Sequence, residues 1–370
     1  MAGIYVHIPF CRQACHYCNF HFSTSMKLRN DFSKALLKEI VLRKNYLEGE
    51  KIETVYFGGG TPSLLTKEEL SSIIGGLNKH FDISSSAEIT FEANPDNINT
   101  PDLLNWKSLG INRLSIGVQS FFEEDLVWMN RAHSAGQAID CIKQAQDAGI
   151  SNMSIDLIYG APTLTDEKWK NNLETAAGLS IPHLSCYALT VEPGTALEVM
   201  TRKKKVTPVN TDDQARQFLI MTDYLQQHGY EHYEISNLAL PGKRSRHNSS
   251  YWSGAKYLGL GPSAHSYNGE TRQWNIANNA LYIQSLDNNE IPFEIEHLSN
   301  EQRFNEYIMT ALRTIEGIDL NKIINYKDEL IKQSQQFINN GWLTINSDKI
   351  ILTKQGKLFA DGIASELFIV

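Results

Sequence analysis

CRQACHYCNFHF, residues Cys11 to Phe22, places three cysteines in eight residues and an aromatic, Phe20, two positions after the third. The spacing C-x3-C-x2-C lets one loop aim three thiolates at a single small volume. Three thiolates can hold three irons of a [4Fe-4S] cubane and leave the fourth iron open to the amino and carboxylate groups of a small molecule. The same sulfurs with His7, His16 or His21 would also make a closed zinc site of three cysteines and one histidine. Cys141, in the helical stretch AIDCIKQAQ, and Cys186, in a strand-like run, read as small buried hydrophobes. Five cysteines in 370 residues make a poor disulfide framework and point to a reducing, cytoplasmic compartment.

Outward from this loop, short β-branched or aromatic runs alternate with helical segments: IYVHIPF, TVYFGGG, EITFEANP, INRLSIGVQSF, MSIDLIYG and HLSCYALTV, between Ile4 and Val191. This is the rhythm of a parallel sheet. In the first intervening segment Phe32, Leu36, Ile40 and Lys44 step by four, with Ala35, Leu37 and Leu42 widening the stripe. Six such units predict an α/β fold built on a partial (β/α)6 barrel. Functional side chains of parallel barrels project from the C-terminal ends of strands, where this sequence puts Cys11, Gly60, Glu92, Gln119, Asp156 and Tyr187.

From about Thr207 the pattern changes to a helix (Asp212 to His228), a short YEIS strand and a Gly- and aromatic-rich stretch reaching Asn275. The last 70 or so residues predict helices, two short strands around the Asn-Ser-Asp turn of GWLTINSDKIIL, and a helix capped by Thr353 with Phe359, Ile363 and Leu367 on one face, a winged-helix-like arrangement. The expected units are residues 1–206, the barrel; 207–299, an α+β extension; and 300–370, the winged-helix-like end.

Composition sets outer limits. Hydrophobic and charged fractions of 42% and 21% are those of an ordinary globular protein. A formal net charge of -8 argues against a nucleic-acid surface. The C-terminal unit carries nine Asp/Glu against eight Lys/Arg, without the basic stripe of a DNA reader. The clusters RKKK (Arg202 to Lys205) and Lys243, Arg244 and Arg246 read as solvated loop charge. The N-terminus shows no signal-peptide pattern, and no run approaches the ~20 apolar residues of a membrane span, so contact with a bilayer is at most peripheral.

CRQACHYC, with an aromatic before its last cysteine, resembles the signature of the radical S-adenosylmethionine (SAM) family. The lead-in IYVHIPFC, then FGGGTPSLL, EANPD, RLSIGVQSF, MNRAHS and SIDLIYGAP, in that order, resemble its coproporphyrinogen III oxidase-like branch. The resemblance implies a radical SAM barrel in which a reduced [4Fe-4S] cluster on Cys11, Cys15 and Cys18 donates an electron to SAM, giving methionine and a 5′-deoxyadenosyl radical. It implies roles around SAM as well. Gly59, Gly60 and Thr61 would approach the methionine moiety. Glu92 would meet the amino group or steady Arg131, which offers a fork to the carboxylate. Gln119 and Asp156 suit the ribose hydroxyls, Tyr5 and Tyr17 would pack around cluster and adenosine, and Tyr187 would lie near the adenine. Singly, each has an ordinary alternative as a cap, loop hydrogen bonder or surface ion pair.

Within the branch, two functions compete. Oxygen-independent coproporphyrinogen III dehydrogenases extend the motif to C-x3-C-x2-C-x-C and use an N-terminal extension; here Phe20 replaces the fourth cysteine, and the chain starts ten residues before Cys11, so the extension is expected to be absent. CHYCNF together with HNSSYW, His247 to Trp252, resembles instead the heme-chaperone members of the branch. That resemblance implies heme as a ligand beside the cluster and SAM, delivery to heme-requiring respiratory proteins, and room for a homodimer. His247 or His265 would ligate the iron, and Tyr251 and Trp252 would cover the macrocycle. Tyr251 and Trp252 as packing residues, and His247 as a hydrogen-bonded loop residue, form the plainer alternative.

Overall fold

The computed structural model describes residues 2–369; Met1 and Val370, the outer ends of the first and third expected units, lie outside the described residues. All six predicted strands form: β1 (Ala2–Ile8), β2 (Ile52–Gly59), β3 (Ile83–Ala93), β4 (Arg113–Gln119), β5 (Met153–Tyr159) and β6 (His183–Ala188). They pair in parallel, in chain order. Helices return the chain between them, and the local signals are explicit. Thr66 and Ser134 open theirs with capping boxes completed by Glu69 and Gln137. The first helix, Arg29–Leu42, buries Phe32, Ala35, Leu36 and Ile40 against the sheet; Leu42 is 40% exposed and Lys44 falls beyond its end, so the expected stripe is shorter by one turn.

The sheet does not stop at six strands. The remaining elements of the extension are β7 (Glu231–Glu234), β8 (Asn237–Ala239), β9 (Tyr257–Leu260), β10 (His265–Tyr267), β11 (Thr271–Asn275) and β12 (Phe293–His297). The full order is β12-β11-β10-β9-β1-β2-β3-β4-β5-β6-β8-β7. Residues 207–299 thus extend the barrel sheet at both edges and have no sheet of their own. The expected YEIS strand lies two residues earlier, at β7, and Ser236 turns the chain into β8.

One polar cluster fixes the β9–β12 edge to the barrel. Glu39, fully buried on the first helix, accepts from the Tyr282 hydroxyl (2.6 Å), Asn275 Nδ2 (2.7 Å) and the backbone N–H of Gly261 (2.8 Å). Arg43, one turn on, donates to Gln273 and Asn275. Burial raises the Glu39 pKa, while Arg43 and these donors work to keep it charged. Gly261 has φ +98°, and a Cβ there would stand 2.5 Å from the His7 carbonyl, so only glycine lets this turn close over β1.

A second apolar core gathers Phe304, Ile308, Leu312, Leu330, Phe337, Ile350, Ile363 and Leu367 around three antiparallel strands, β13 (Ile318–Asp319), β14 (Leu343–Asn346) and β15 (Lys349–Leu352), in the order β13-β15-β14. This is the winged-helix-like end. Thr353 Oγ1 does accept from Gly356 N–H, but it caps a 3-10 turn, Gly356–Phe359, ahead of the helix Ala360–Glu366. Phe359 is therefore not on the buried face; it is 46% exposed and packs on Trp342. Backbone bonds from Ile235 N to Arg313 O (3.0 Å) and from Ile315 N to Tyr233 O (3.0 Å) fasten this unit to the sheet edge at β7. Among the described residues no helix is long and apolar enough to cross a membrane.

Replacing Glu39 by Ala strands three donors and the Arg43 cation in the interior, and is expected to cost about 3–5 kcal/mol in anaerobic urea denaturation. Glu39→Gln keeps an acceptor and should cost less. A loss below about 1 kcal/mol for Glu39→Ala would show that the sheet edge is held by apolar packing alone.

Candidate functional site

The loop after β1 is fastened from several directions, which is why a segment without regular structure holds its cysteines in place. Cys11 N–H bonds to Ser23 O and Ser23 N–H to Pro9 O, closing the loop on itself. Gly60 and Thr61, just past β2, donate to Ile8 O and Phe10 O. Gln13 Nε2 donates to Asn130 O and Oδ1, Asn130 Nδ2 donates to Ala14 O, His16 N–H bonds to Met129 O, and Leu197 N–H to His16 O. Each of the three histidines that a zinc site would need is engaged elsewhere: His7 Nε2 with His21 O (2.8 Å), His16 Nδ1 with Trp128 O (2.9 Å) and His21 Nε2 with Asn279 Oδ1 (2.7 Å). Such a bond on one ring nitrogen is compatible with metal at the other, but among the described residues no histidine lines the cavity that Cys11, Cys15 and Cys18 share, so the thiols fit an open cluster better than a closed zinc site.

Cys11, Cys15, Cys18 and Tyr17 line one cavity of about 350 Å³ together with Gly59, Gly60, Thr61, Glu92, Gln119, Arg131, Asp156 and Tyr187. Successive strand ends supply these groups, as the βα rhythm implies. Gln119, the last residue of β4, reaches the cavity from a left-handed backbone, φ +69°, a strained conformation for a side chain of this kind. Phe20 stands at the same cavity, two-thirds exposed.

A ring of hydrogen bonds links two of the thiols. Thr61 Oγ1 donates to Cys11 Sγ (3.5 Å), Asn94 Nδ2 to Thr61 Oγ1 (3.1 Å), Arg131 Nη2 to Asn94 Oδ1 (2.8 Å) and Gly117 O (2.7 Å), and Arg131 Nη1 to Cys15 Sγ (3.2 Å). Arg131 is steadied by Asn94 and Gly117 and not by Glu92, which corrects one of the two expected partners. Burial works against its charge, yet Tyr17 and Cys15 beside it raise its pKa. Among the described residues its Nε is buried without a partner. Burial pushes the Cys11 thiol up to about 11 and Cys18 upward as well, so without a metal both stay protonated.

Glu92 accepts from the Tyr56 hydroxyl (2.7 Å) and Gly59 N–H (3.2 Å). Burial pushes its pKa up to about 7 against the Tyr56 hydrogen bond, and Asp156 nearby adds to the rise. Asp156 is raised to about 6, again by burial, with Ser185 and Arg113 opposing. Two carboxyls with raised pKa in a cavity lacking a matching free cation suit a ligand that brings its own positive charge. The glycines serve the protein before any ligand: a Cβ on Gly59 would lie 2.4 Å from the His7 ring, and one on Gly60 2.6 Å from Phe10 O. Tyr56, Asn94, Ser185 and Asn248 also line the cavity and were not singled out from sequence. Asn94 had a readable signal, since it follows Glu92 by two residues and so shares its face at the end of β3.

Four expectations need correction. Tyr5 lies behind the wall, stacked on Tyr56 at 6.1 Å with its hydroxyl on His7 Nδ1, and does not line the cavity. His247 is buried with both ring nitrogens engaged, Nδ1 with Thr54 Oγ1 (2.8 Å) and Nε2 with the Tyr251 hydroxyl (2.9 Å), and stacks on Tyr56 at 5.0 Å. Burial, helped by Arg113, lowers its pKa to about 3. It is a neutral packing residue with no lone pair free for iron. Tyr251 is turned inward with it, edge-on to Tyr257 at 4.7 Å. His265 is exposed beside Trp274 and lines neither this cavity nor the one that Trp252 faces. The short helix Arg246–Trp252 thus divides its motif: His247 and Tyr251 plug the barrel, Asn248 reaches the cavity, and Trp252 faces a different one.

The model of the radical SAM superfamily matches residues 5–176. The chain is 32% identical to "Heme chaperone HemW" of Mycobacterium tuberculosis (strain H37Rv) over 99% of its length and 94% of the relative's. It is 32% identical to that of Bacillus subtilis (98% and 97%) and 31% identical to that of Escherichia coli K12 (99% and 98%). Coproporphyrinogen III oxidase (HemN) of Escherichia coli, described as a radical SAM enzyme, superposes with a TM-score of 0.86 at 24% identity over 99% of this chain and 90% of that one, which shows the shared fold. With curated relatives above 30% identity along nearly its whole length and the cysteine loop set at the mouth of a parallel barrel, the chain belongs to the HemW family of HemN-like radical SAM proteins.

Proposed function

We propose that this chain is a heme chaperone of the cytoplasm that carries a [4Fe-4S] cluster and SAM in the barrel cavity and passes heme to heme-requiring respiratory proteins. The observation that carries the reading is likeness along nearly the whole chain to relatives named heme chaperones. Phe20 supports it, standing at the cavity where the dehydrogenase motif would have a fourth cysteine.

Cys11, Cys15 and Cys18 would ligate the cluster, which when bound supplies an electron to SAM. The chain's own residues bind and orient. Thr61 and Arg131, linked through Asn94, hold donors against two of the sulfurs, which favours the thiolate form. Glu92 takes the SAM amino group, the free edge of Arg131 faces its carboxylate, and Asp156 and Gln119 take the ribose hydroxyls. Tyr17 and Tyr187 supply aromatic walls.

The raised carboxyls make SAM binding a proton-linked event. Below a pH of about 7 Glu92 is largely protonated in the free protein, and an ammonium group bound there drives the proton off. Affinity should rise with pH through about 6 and about 7 and then level, with proton release seen when calorimetry is repeated in buffers of different ionisation enthalpy. Glu92→Gln should remove the step near 7 and leave the one near 6; an unchanged pH profile would take Glu92 out of the SAM contact. For the ligand-free protein the sign is reversed. Stability that Glu92 and Asp156 contribute is fully present below their unfolded pKa values and is lost as the pH rises through about 6 and about 7. Asp156→Ala should weaken SAM by about 1–3 kcal/mol in cluster-loaded protein.

Function is tested by adding heme and, separately, coproporphyrinogen III to anaerobically reconstituted protein with reductant and SAM. A chaperone binds heme stoichiometrically and yields no protoporphyrinogen IX. Turnover of coproporphyrinogen would establish the dehydrogenase reading in its place.

A further inference from the structure

The motif HNSSYW takes no part in the proposed function, yet its histidine sits inside the barrel below the SAM cavity. The inward faces of β1, β2 and β3 are in register there: Gly3 pairs with Thr54 and Thr54 with Glu88, while one layer higher Tyr5 pairs with Tyr56 and Tyr56 with Thr90. Side chains alternate along a strand, so Gly58 and Glu92 stand in the next layer up, at the strand ends that open on the cavity. We propose that His247, Tyr56 and Glu92 form a fixed column through these three layers, and that the column is a positioning device which sets the Glu92 carboxylate for the ammonium group of SAM. That SAM is the ligand rests on the proposed function; the column itself does not.

Every step of the column is a direct contact. Glu88 accepts from the backbone N–H groups of Arg246 (3.2 Å) and His247 (3.1 Å), which ties the helix Arg246–Trp252 to β3. His247 fills the lowest layer, its ring set by Thr54 Oγ1 on one nitrogen and the Tyr251 hydroxyl on the other. That ring lies on the ring of Tyr56, 5.0 Å away and 25° from parallel, and Tyr5 stacks on Tyr56 as well. Held in this way, Tyr56 donates to Glu92 Oε1 at 2.7 Å, while Gly59 N–H donates to Oε2 at 3.2 Å. Both oxygens are fixed before a ligand arrives, and each keeps a lone pair for it. Two small residues make the room. A Cβ on Gly3 would come 2.8 Å from Thr54 Oγ1 and 3.3 Å from the His247 ring, and one on Gly58 would come 2.8 Å from the Tyr56 ring and 2.9 Å from Glu92 Oε1. The first glycine of the GGGT turn thus admits the bond between Tyr56 and Glu92.

A column built only for packing would end in an apolar side chain. This one ends in a carboxyl in the cavity wall, bonded on both oxygens and, among the described residues, with no cation against it. Small displacements of such a group matter, because a misplacement of about 1 Å at a binding group is costly. Asn248, next to His247, lines the cavity too, and among the described residues its side-chain amide has no hydrogen-bond partner. The helix therefore meets the ligand space through one residue directly and through its neighbour by way of Tyr56.

The test uses full-length, cluster-loaded protein, with cluster content as the check on folding, and two ligands: SAM, and 5′-methylthioadenosine, which keeps adenosine and sulfur but has neither ammonium nor carboxylate. Tyr56→Phe preserves the ring and its packing and removes only the donor to Glu92. It should weaken SAM about tenfold and leave 5′-methylthioadenosine within about twofold. In a Glu92→Gln background the same substitution should cost at most about twofold more, because Tyr56 acts through Glu92. His247→Gln, or Thr54→Val if the first variant loses its cluster, should weaken SAM about threefold or more with the same selectivity. The column is overturned if Tyr56→Phe keeps wild-type SAM affinity, if both ligands weaken together, which would mark a merely structural role, if the Tyr56 and Glu92 losses add, or if His247→Gln and Thr54→Val both bind SAM as the unaltered protein does. Should Glu92→Gln itself leave SAM affinity unchanged, the SAM contact of the proposed function falls and the column's role falls with it.

Discussion

The placement of His7 governs the site. Its strand, β1, is central to the sheet and paired in parallel on both sides, with β2 and with β9. Its ring fills the space left by Gly59, Gly261 passes over its carbonyl, and its Nε2 holds the backbone of His21 at the far end of the cysteine loop. Burial lowers its pKa to about 4, so the ring is neutral at physiological pH and acts as a rigid wedge. Sheet, loop and the β9–β12 edge meet on one imidazole. A larger residue at position 59 or 261 would disturb all three.

The cavity above it is electrically incomplete, and that is informative. Folding ordinarily pairs or neutralises buried charge. Here Glu92 and Asp156 are left with raised pKa, while Arg131 is committed to Asn94, Gly117 and a thiol. In the proposed complex a zwitterionic ligand such as SAM would bring an ammonium to the first, a carboxylate to the free edge of the last and hydroxyls between them. On that reading the protein contributes half of a charge pattern and the ligand would bring the other half.

Much of this was legible in the sequence because it is local. Strand, loop and helix alternate in order, so polar residues at strand ends must converge; Cys11, Gly60, Glu92, Gln119, Asp156 and Tyr187 meet at the cavity by that rule alone, whereas Arg131 reaches it from the segment after the helix Glu123–Trp128. What escaped depends on long-range packing. Nothing around Glu39 announces that residues more than two hundred positions later will surround it. HNSSYW invites reading as one surface, but a helix of seven residues has faces, and His247 and Tyr251, four apart, turn inward while Ser249 and Trp252 turn out. Phe359 was assigned to a helical face although the chain there is still a 3-10 turn.

The position of β1 also dictates an order of events during synthesis. Its second pairing partner is not made until residues 257–260 have left the ribosome, and the His21 anchor waits for Asn279. Anchors of the cysteine loop to Ser23, Gly60, Thr61 and Met129 are available earlier, so the loop is fastened in stages, with β9 and Asn279 completing it. Contacts of such sequence separation form late in folding. The cysteine loop and the strand it leaves therefore reach their final form only when about three quarters of the chain has been made.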